Sequence, residues 1–566
     1  MDPQGDSQQK FPKTFWVANV MEIFERMAWY GFFSVSSLYI TNPRSEGALG
    51  FTSEQRGTLQ GVITFILYML PVLSGALADR YGYKKMFIVA YAILTPAYFL
   101  LGQAHSYIGF FFVFLFVAVG AAIFKPVVVG TVARTTTEKT SSMGFGIFYM
   151  MVNIGGFLGP IVAGIVRGWS WKWVFVMSSL WIAMNFIWVT LLYKEPTTEA
   201  RSETARTFKK VIRDMVEVLG NWRLFSAVLV VFVFLVCGTN GWVTWRLTGY
   251  ILAVWVGWNL LYDLILWFTK TGGRSWLLSP MRIGNWRFVL FLVILSGFWT
   301  AFNQIFMTMP EYIRDFVHTR DILLSLQGAS GNLLWLTWPR ASTVSFVLVL
   351  VVLIAASLTR GTRAPKPIMI SGLSVLAVLL LCAGLGNIYE RLQGAIASGY
   401  EVNPEYIINI DAGAIIAFQV LVSFTMKRFQ PFVTMVVGTI VAGIGIALAG
   451  WAITGWFIIG TIVIFAFGEM AASPKSQEYI GRVAPQDKVA LFMGYYFVAI
   501  ALGNLSGGLL SGICYQRIAL DLNRPDIMWW IFGVISFGTA AALLVYNKYV
   551  VPGWKREVAA QNASAP

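Results

Sequence analysis

Charge, histidine and cysteine are all scarce in this chain of 566 residues: 12% of it is charged, two residues are histidine and three are cysteine. Each shortage removes a class of function. A soluble globular domain carries about 25% charged residues. With half that share, 57% hydrophobic residues and a mean hydropathy of +0.67, this chain is expected to be a polytopic membrane protein. Cys237, Cys382 and Cys514 are scattered in or beside apolar runs, without metal-ligand spacing, so neither a disulfide framework nor a metal site is expected. No nucleophile elbow, phosphate loop or metal-ligand cluster is present, so an enzyme and a bound cofactor are not expected either. The histidines, His105 and His318, fall between apolar runs, which leaves carboxylates to carry any proton relay inside the membrane.

What is abundant is apolar length. Runs of about 20 residues, enough to cross a bilayer, fall near 14–40, 55–78, 86–103, 107–133, 143–167 and 173–193. The first is too long for a signal-peptide core, carries charges and lacks a small-residue cleavage site, so it is expected to stay in the mature protein. The net charge of +15 sits mainly in short loops between runs, the pattern that orients a membrane protein, so no nucleic-acid partner is implied. The loop with Asp79, Arg80, Lys84 and Lys85 is then cytoplasmic, and the N-terminus with it.

Within 194–223, Phe208, Val211, Ile212, Met215 and Leu219 recur at helical spacing against Arg206, Lys209, Lys210 and Arg213, which predicts an amphipathic helix on the cytoplasmic surface. Two spans near 224–240 and 243–268 form an inserted hairpin, and apolar segments near 343–358 and 367–386, around Arg360, Arg363 and Lys366, read as a second one. The remaining spans lie near 287–309, 405–425, 430–450, 454–481, 488–514 and 527–548. The expectation is therefore an all-α polytopic membrane protein with both termini inside. Its parts are an N-terminal six-helix bundle (1–193), a linker with a hairpin (194–286), a C-terminal six-helix bundle (287–550) carrying the extra hairpin at 343–386, and a cytoplasmic tail (551–566).

Charges inside these spans mark the candidate site. Glu22, Glu25 and Arg26 share the first span with Trp29, Tyr30 and Gly31, and each charge at mid-membrane costs about 2.5–3.5 kcal/mol. Spacings of three and four residues put Glu22, Glu25, Arg26 and Tyr30 on adjoining parts of one helical face, where Glu22 can reach Arg26. Lys125 lies near the middle of the fourth span, before Pro126. Asp411 follows Asn403-Pro404 by two helical turns, and Glu469 sits in the span near 454–481. Glu478, toward the cytoplasmic end of that span and near Lys475 and Arg482, reads as a gating or structural ion pair.

Twelve core helices with an Asp-Arg-Tyr-Gly loop after the second resemble the major facilitator superfamily. Finer motifs resemble its proton-dependent oligopeptide transporter family: Glu22-x-x-Glu25-Arg26 with Tyr30-Gly31, Tyr68 and Pro71 ahead of Gly75 and Asp79, Lys125-Pro126, Phe148-Tyr149-x-x-Val152-Asn153-x-Gly155, and Gly468-Glu469 followed by Ser473-Pro474 and Ala484-Pro485. The resemblance implies the major facilitator fold, 6+6 core helices, and proton-coupled import of small peptides by alternating access. It gives Arg26 and Lys125 to the peptide carboxylate and Glu469 to the amino group. Trp29, Tyr30, Tyr68, Asn153, Trp299 and Asn303 would line the substrate site, with Asp79 and Arg80 as gate. A zwitterionic peptide needs a cation and an anion held several ångströms apart in a low-dielectric cavity, and the sequence supplies both. Many bacterial members of that family carry a glutamate at the position of Asn303, so the resemblance leaves Glu22, Glu25 and Asp411 as candidate proton carriers. The expected setting is the inner membrane of a bacterial cell, as a monomer. A carrier of another small zwitterionic or anionic solute, and a non-transporting nutrient sensor, remain alternative readings of the same residues.

Overall fold

The computed structural model describes residues 11–71, 78, 81–137, 140–196, 222–269, 286–333, 394–483 and 489–552. The expected amphipathic linker helix, the second inserted hairpin at 343–386, the loop residues Asp79 and Arg80, and all but the first two residues of the C-terminal tail lie outside them. The described residues build helices and no named strand, and eleven of those helices are long and apolar enough to cross a membrane.

Boundary residues explain where the helices start and stop. Helix α1 (Lys13–Thr41) ends where Asn42, held extended ahead of Pro43, can no longer continue it. Helix α2 (Ser53–Met69) opens on a capping box in which the Thr52 hydroxyl accepts from the Gln55 N–H at 3.2 Å and the Gln55 side chain accepts from the Thr52 N–H at 3.1 Å. Helices α3 (Tyr83–Leu101), α4 (Tyr107–Arg134), α5 (Ser141–Arg167) and α6 (Trp171–Ile187) follow, with the Ser106 hydroxyl capping α4.

The hairpin predicted after the linker is present as α7 (Trp222–Thr239) and α8 (Trp245–Thr269). Helix α8 leaves Tyr250, Val254 and Trp258 largely exposed, as a lipid-facing helix would. The hairpin is fastened to α2 by the Phe65–Phe232 ring contact, by Gln55 Nε2 donating to Asn240 Oδ1 at 3.1 Å, and by Trp245 Nε1 donating to Glu54 at 3.1 Å.

The span predicted near 287–309 is not one straight helix. It runs as α9 (Trp286–Phe302), breaks at Asn303, resumes as the short α10 (Gln304–Met307) and continues as α11 (Met309–Phe316). Asn303 Nδ2 donates to the Trp299 carbonyl at 2.7 Å, a local bond of the kind that competes with the helical ladder, and Pro310 has no N–H to return to the preceding turn. Helix α12 (Arg320–Leu333) follows. The span predicted near 405–425 likewise breaks at Asn409, between α13 (Pro404–Ile408) and α14 (Ile410–Met426). The chain ends in α15 (Pro431–Leu448), α16 (Gly455–Val483), α17 (Val489–Cys514) with a π-helical extension over Tyr515–Asp521, and α18 (Pro525–Tyr549).

These residues form two compact units. The larger takes those up to Arg314, those from Pro404 to Trp451 and those from Ile459 on; the smaller takes Asp315–Asn403 and Ala452–Ile458. In the smaller unit, the Thr319 N–H and hydroxyl donate to the Glu401 carboxylate, and the Asp321 carboxylate accepts from the N–H groups of Gly455 and Trp456, satisfying two donors at the start of α16. In the larger unit an aromatic cluster of Phe32, Tyr39, Phe110, Phe114 and Phe175 fills the space between α1, α4 and α6.

Lipid tails are as apolar as leucine, so helices in a membrane associate through close packing more than through hydrophobic burial. Helices α2 and α17 meet through glycines: a Cβ on Gly57 would lie 2.3 Å from the Gly508 carbonyl oxygen and 2.7 Å from the Gly512 backbone. Helices α1 and α5 do the same at Gly31, Gly155 and Gly159. Gly57→Val should therefore cost about 1–3 kcal/mol or more by overpacking. Thermal unfolding in detergent should show a clear fall for this variant and little change for Gly460→Val, whose Cβ would meet nothing within 4 Å.

Candidate functional site

The charges of the first span are paired as their spacing predicts, and they gain a partner the spacing could not show. Arg26 Nε lies 3.4 Å from Glu22 Oε1 and the same guanidinium pairs with Glu25. Lys125, reaching across from α4, places Nζ 3.4 Å from the same Glu22 oxygen. Two acids and two bases make a neutral cluster, the arrangement that lets four ionisable groups stay inside a membrane protein. Gly155 on α5 makes room for it, since a Cβ there would lie 2.6 Å from Arg26 Cβ. The Arg26 guanidinium lies over the ring of Tyr30, 5.7 Å from its centroid.

Tyr30 also faces a cavity of about 970 Å³, a volume that includes solvent at its mouth. Helix α1 contributes Trp29, Tyr30, Phe33 and Ser34, α2 contributes Thr64 and Tyr68, and α5 contributes Tyr149, Val152 and Asn153. Across from them stand Phe302, Asn303 and Phe306, then Ile408, Asn409 and Asp411, and finally Glu469 on α16 and Asn504 on α17. Asn303 and Asn409, where the two helices are interrupted, both line the cavity.

Among the described residues, the acids on this side have no basic neighbour. Asp411 lies in the first turn of α14 and is buried, and its carboxyl stands within hydrogen-bonding reach of that of Glu469. Two carboxyls side by side repel each other when both are ionised. Asp411 Oδ1 and Glu469 Oε2 are left buried without a partner.

Three ion pairs tie helices of the first bundle to helices that come after the inserted hairpin, at the end where α1 and α5 finish and α2 and α13 begin. Arg56 Nη2 lies 3.0 Å from Glu311 Oε2 with both side chains fully buried, and Arg56 Nη1 also donates to the Ser511 hydroxyl. Arg167, the last residue of α5, lies 2.8 Å from Glu405 in α13. Arg517, on the extension of α17, lies 2.8 Å from Glu54.

A family model described as the Major Facilitator Superfamily matches residues 20–398 and 405–565. The chain belongs to the major facilitator superfamily. The peptide transporter YePEPT of Yersinia enterocolitica is 22% identical over 552 residues, which is 94% of this chain and 92% of that protein. A POT family transporter solved in complex with 5-aminolevulinic acid superposes with a TM-score of 0.64 at 16% identity, covering 96% of this chain and 98% of that one. The peptide transporter POT in complex with sulfate gives a TM-score of 0.65 at 15% identity, covering 97% of each chain. At such identity the solved structures establish the fold, and they come from the oligopeptide-transporter branch that the motifs resemble.

In this superfamily member the expected site residues divide into two groups. Trp29, Tyr30, Tyr68, Asn153, Asn303, Asp411 and Glu469 line the cavity. Glu22, Glu25, Arg26 and Lys125 form the neutral cluster behind Tyr30 and are not among the lining residues. Trp299 is not among them either: it is buried against Phe298, Phe302 and Tyr496, with Phe302 presented to the cavity instead. Glu478 pairs with Lys475 one turn before it, at 2.6 Å, while Asp79 and Arg80 lie outside the described residues.

Sequence reasoning missed the three interhelical ion pairs, although Arg56, a base within the span read from 55 to 78, was a visible signal. It also missed Asn409 and Asn504, isolated polar residues in apolar helices. Breaking a fully buried pair from one side leaves an uncompensated charge, at a cost of about 3–5 kcal/mol. Glu311→Gln and Arg56→Gln should each lower thermal stability sharply, and the double variant should be less destabilised than the sum of the two. Additive losses in that double-mutant cycle would mean that the pair does not act as a unit.

Proposed function

We propose that this membrane protein is a secondary active transporter that imports di- and tripeptides by proton symport through alternating access. The observation that carries the reading is a single cavity with two acids on α14 and α16 at one side and the Glu22, Glu25, Arg26 and Lys125 cluster behind its opposite wall. A peptide's ammonium would sit on Glu469, with its carboxylate end at the Tyr30 wall, behind which Arg26 and Lys125 are held by Glu22 and Glu25. Trp29, Tyr30, Tyr68, Asn153 and Asn303 would wall the space between, with Trp299 packed behind Phe302. YePEPT is a peptide transporter, and the 5-aminolevulinic acid of the related transporter carries an amine and a carboxylate in one small molecule.

Coupling in this reading uses the intramembrane acids Glu22, Glu25 and Asp411, because Asn303 cannot titrate. The chain would lie in a bacterial inner membrane as a monomer with both termini in the cytoplasm, which follows from placing the basic loop at 79–85 inside. The end closed by Arg56–Glu311, Arg167–Glu405 and Arg517–Glu54 is then the outer one, and these pairs would separate when the protein opens outward. Asp79 and Arg80 would act as a gate at the opposite end, and Glu478 would act in gating as well.

Proteoliposomes given an inward proton gradient should accumulate a radiolabelled dipeptide, and collapsing the gradient with an ionophore should abolish accumulation. Uptake indifferent to pH and to the ionophore would remove symport and leave exchange or sensing. Glu469→Gln removes a charge-assisted hydrogen bond of about 1.5–3 kcal/mol, which corresponds to about 10–150-fold in affinity. The loss should fall on peptides with a free amino group and spare N-acetylated ones. Equal losses for both would contradict the role given to Glu469.

A further inference from the structure

The charges around the cavity are not symmetric. The bases expected to receive a substrate carboxylate, Arg26 and Lys125, are already engaged by Glu22 and Glu25, and the four form a neutral group behind Tyr30. The acids across from them are not engaged by any base: among the described residues no lysine, arginine or histidine lies in ion-pair range of Asp411 or Glu469. The other titratable groups close to them are the phenols of Tyr30 on α1, Tyr149 on α5 and Tyr496 on α17, which are neutral at physiological pH. Even with one proton shared between the two carboxyls, the pair keeps a full negative charge. The two buried oxygens without a partner, Asp411 Oδ1 and Glu469 Oε2, are acceptors for an ammonium, which brings three donors and no acceptor.

We infer that the Asp411–Glu469 carboxyl pair makes the cavity selective for substrates of net positive charge: peptides with an additional ammonium or guanidinium, or with the terminal carboxylate masked, over acidic peptides. The inference rests on the peptide-transport reading and narrows it to a substrate class. A cation entering the site neutralises a charge otherwise left unpaired in a low-dielectric cavity, whereas a carboxylate finds each base already satisfied and faces two acids across the space. Asp411 is the specificity-determining member, because it turns a single amino-group acceptor into a pair whose charge survives the sharing of a proton. Its place in the first turn of α14, where the helix N-terminus favours negative charge, keeps that charge facing the cavity.

The test uses the purified full-length protein in lipid nanodiscs, with affinities measured by ligand-induced thermal shift and by competition against a labelled dipeptide. The series is dialanine, lysyl-alanine, dialanine amide, alanyl-glutamate and the diamine putrescine. Lysyl-alanine should bind about tenfold tighter than dialanine, the amide at least as well as dialanine, and alanyl-glutamate weakest. Asp411→Asn should compress the ratio between lysyl-alanine and alanyl-glutamate by about tenfold, and Asp411→Glu should restore it. A purely structural loss would weaken all ligands together and leave the ratio unmoved.

The inference is overturned if alanyl-glutamate binds as well as lysyl-alanine, or if amidation costs affinity, and neither result depends on any variant folding. Peptide binding without charge preference would leave the peptide reading standing and remove this one. Binding of putrescine without any peptide would do the reverse, and binding of none of the series would remove both.

Discussion

The constraint on which the rest of this structure depends is the cost of a charge in hydrocarbon. Each ionisable side chain inside the larger unit must be neutralised by a partner, by a proton or by a ligand. The α1 cluster uses the first solution, setting Arg26 and Lys125 against Glu22 and Glu25. Arg56 and Glu311 use it between distant parts of the chain. Asp411 and Glu469 have no base in ion-pair range among the described residues, so there only a proton or a ligand could neutralise them. That difference sets the two clusters apart.

Close helix packing lets these solutions coexist. Arg26 can turn inward from α1 because Gly155 lets α5 approach without a side chain, and Arg56 can reach Glu311 and Ser511 together because Gly57, Gly61, Gly508 and Gly512 bring α2 against α17. The glycines carry no chemistry, yet they set the distances over which the charged groups act. The same economy is visible at Asn303 and Asn409. Each ends a helix at the depth of the cavity, and each leaves a polar amide where a continuous helix would present only apolar side chains.

Much of this was legible in the sequence. Length and hydropathy gave the membrane class, and eleven helices among the described residues are long and apolar enough to cross a membrane. The spacing of Glu22, Arg26 and Tyr30 gave one helical face, and seven of the expected substrate-site and coupling residues do line the cavity. What could not be read was partnership across the bundle. The register between α4 and α1 decides that Lys125 meets Glu22, and it has no local signature in either helix. The same holds for Arg167 with Glu405 and for Arg517 with Glu54, whose positions are separated by hundreds of residues. Trp299 and Phe302, three positions apart on α9, show how sensitive the reading is to rotation: the break at Asn303 presents Phe302 to the cavity and leaves Trp299 in the packing behind it.

Asp411 shows why pairing changes a residue's meaning. As an isolated acid in an apolar helix it admitted two readings, a proton carrier or half of a salt bridge, and sequence offered no way to choose. Among the described residues the acid that shares the cavity with it is Glu469, so a proton and a cationic ligand placed there would compete for the same few oxygens. In a protein with Asn303 on α9, the acid that faces the cavity has to come from a different helix, and α14 supplies it beside Glu469 instead of across from it. If a proton and a substrate ammonium both occupy this pair of carboxyls, a change in either alters the affinity for the other, a reciprocity that thermodynamic linkage requires of any two ligands sharing a site.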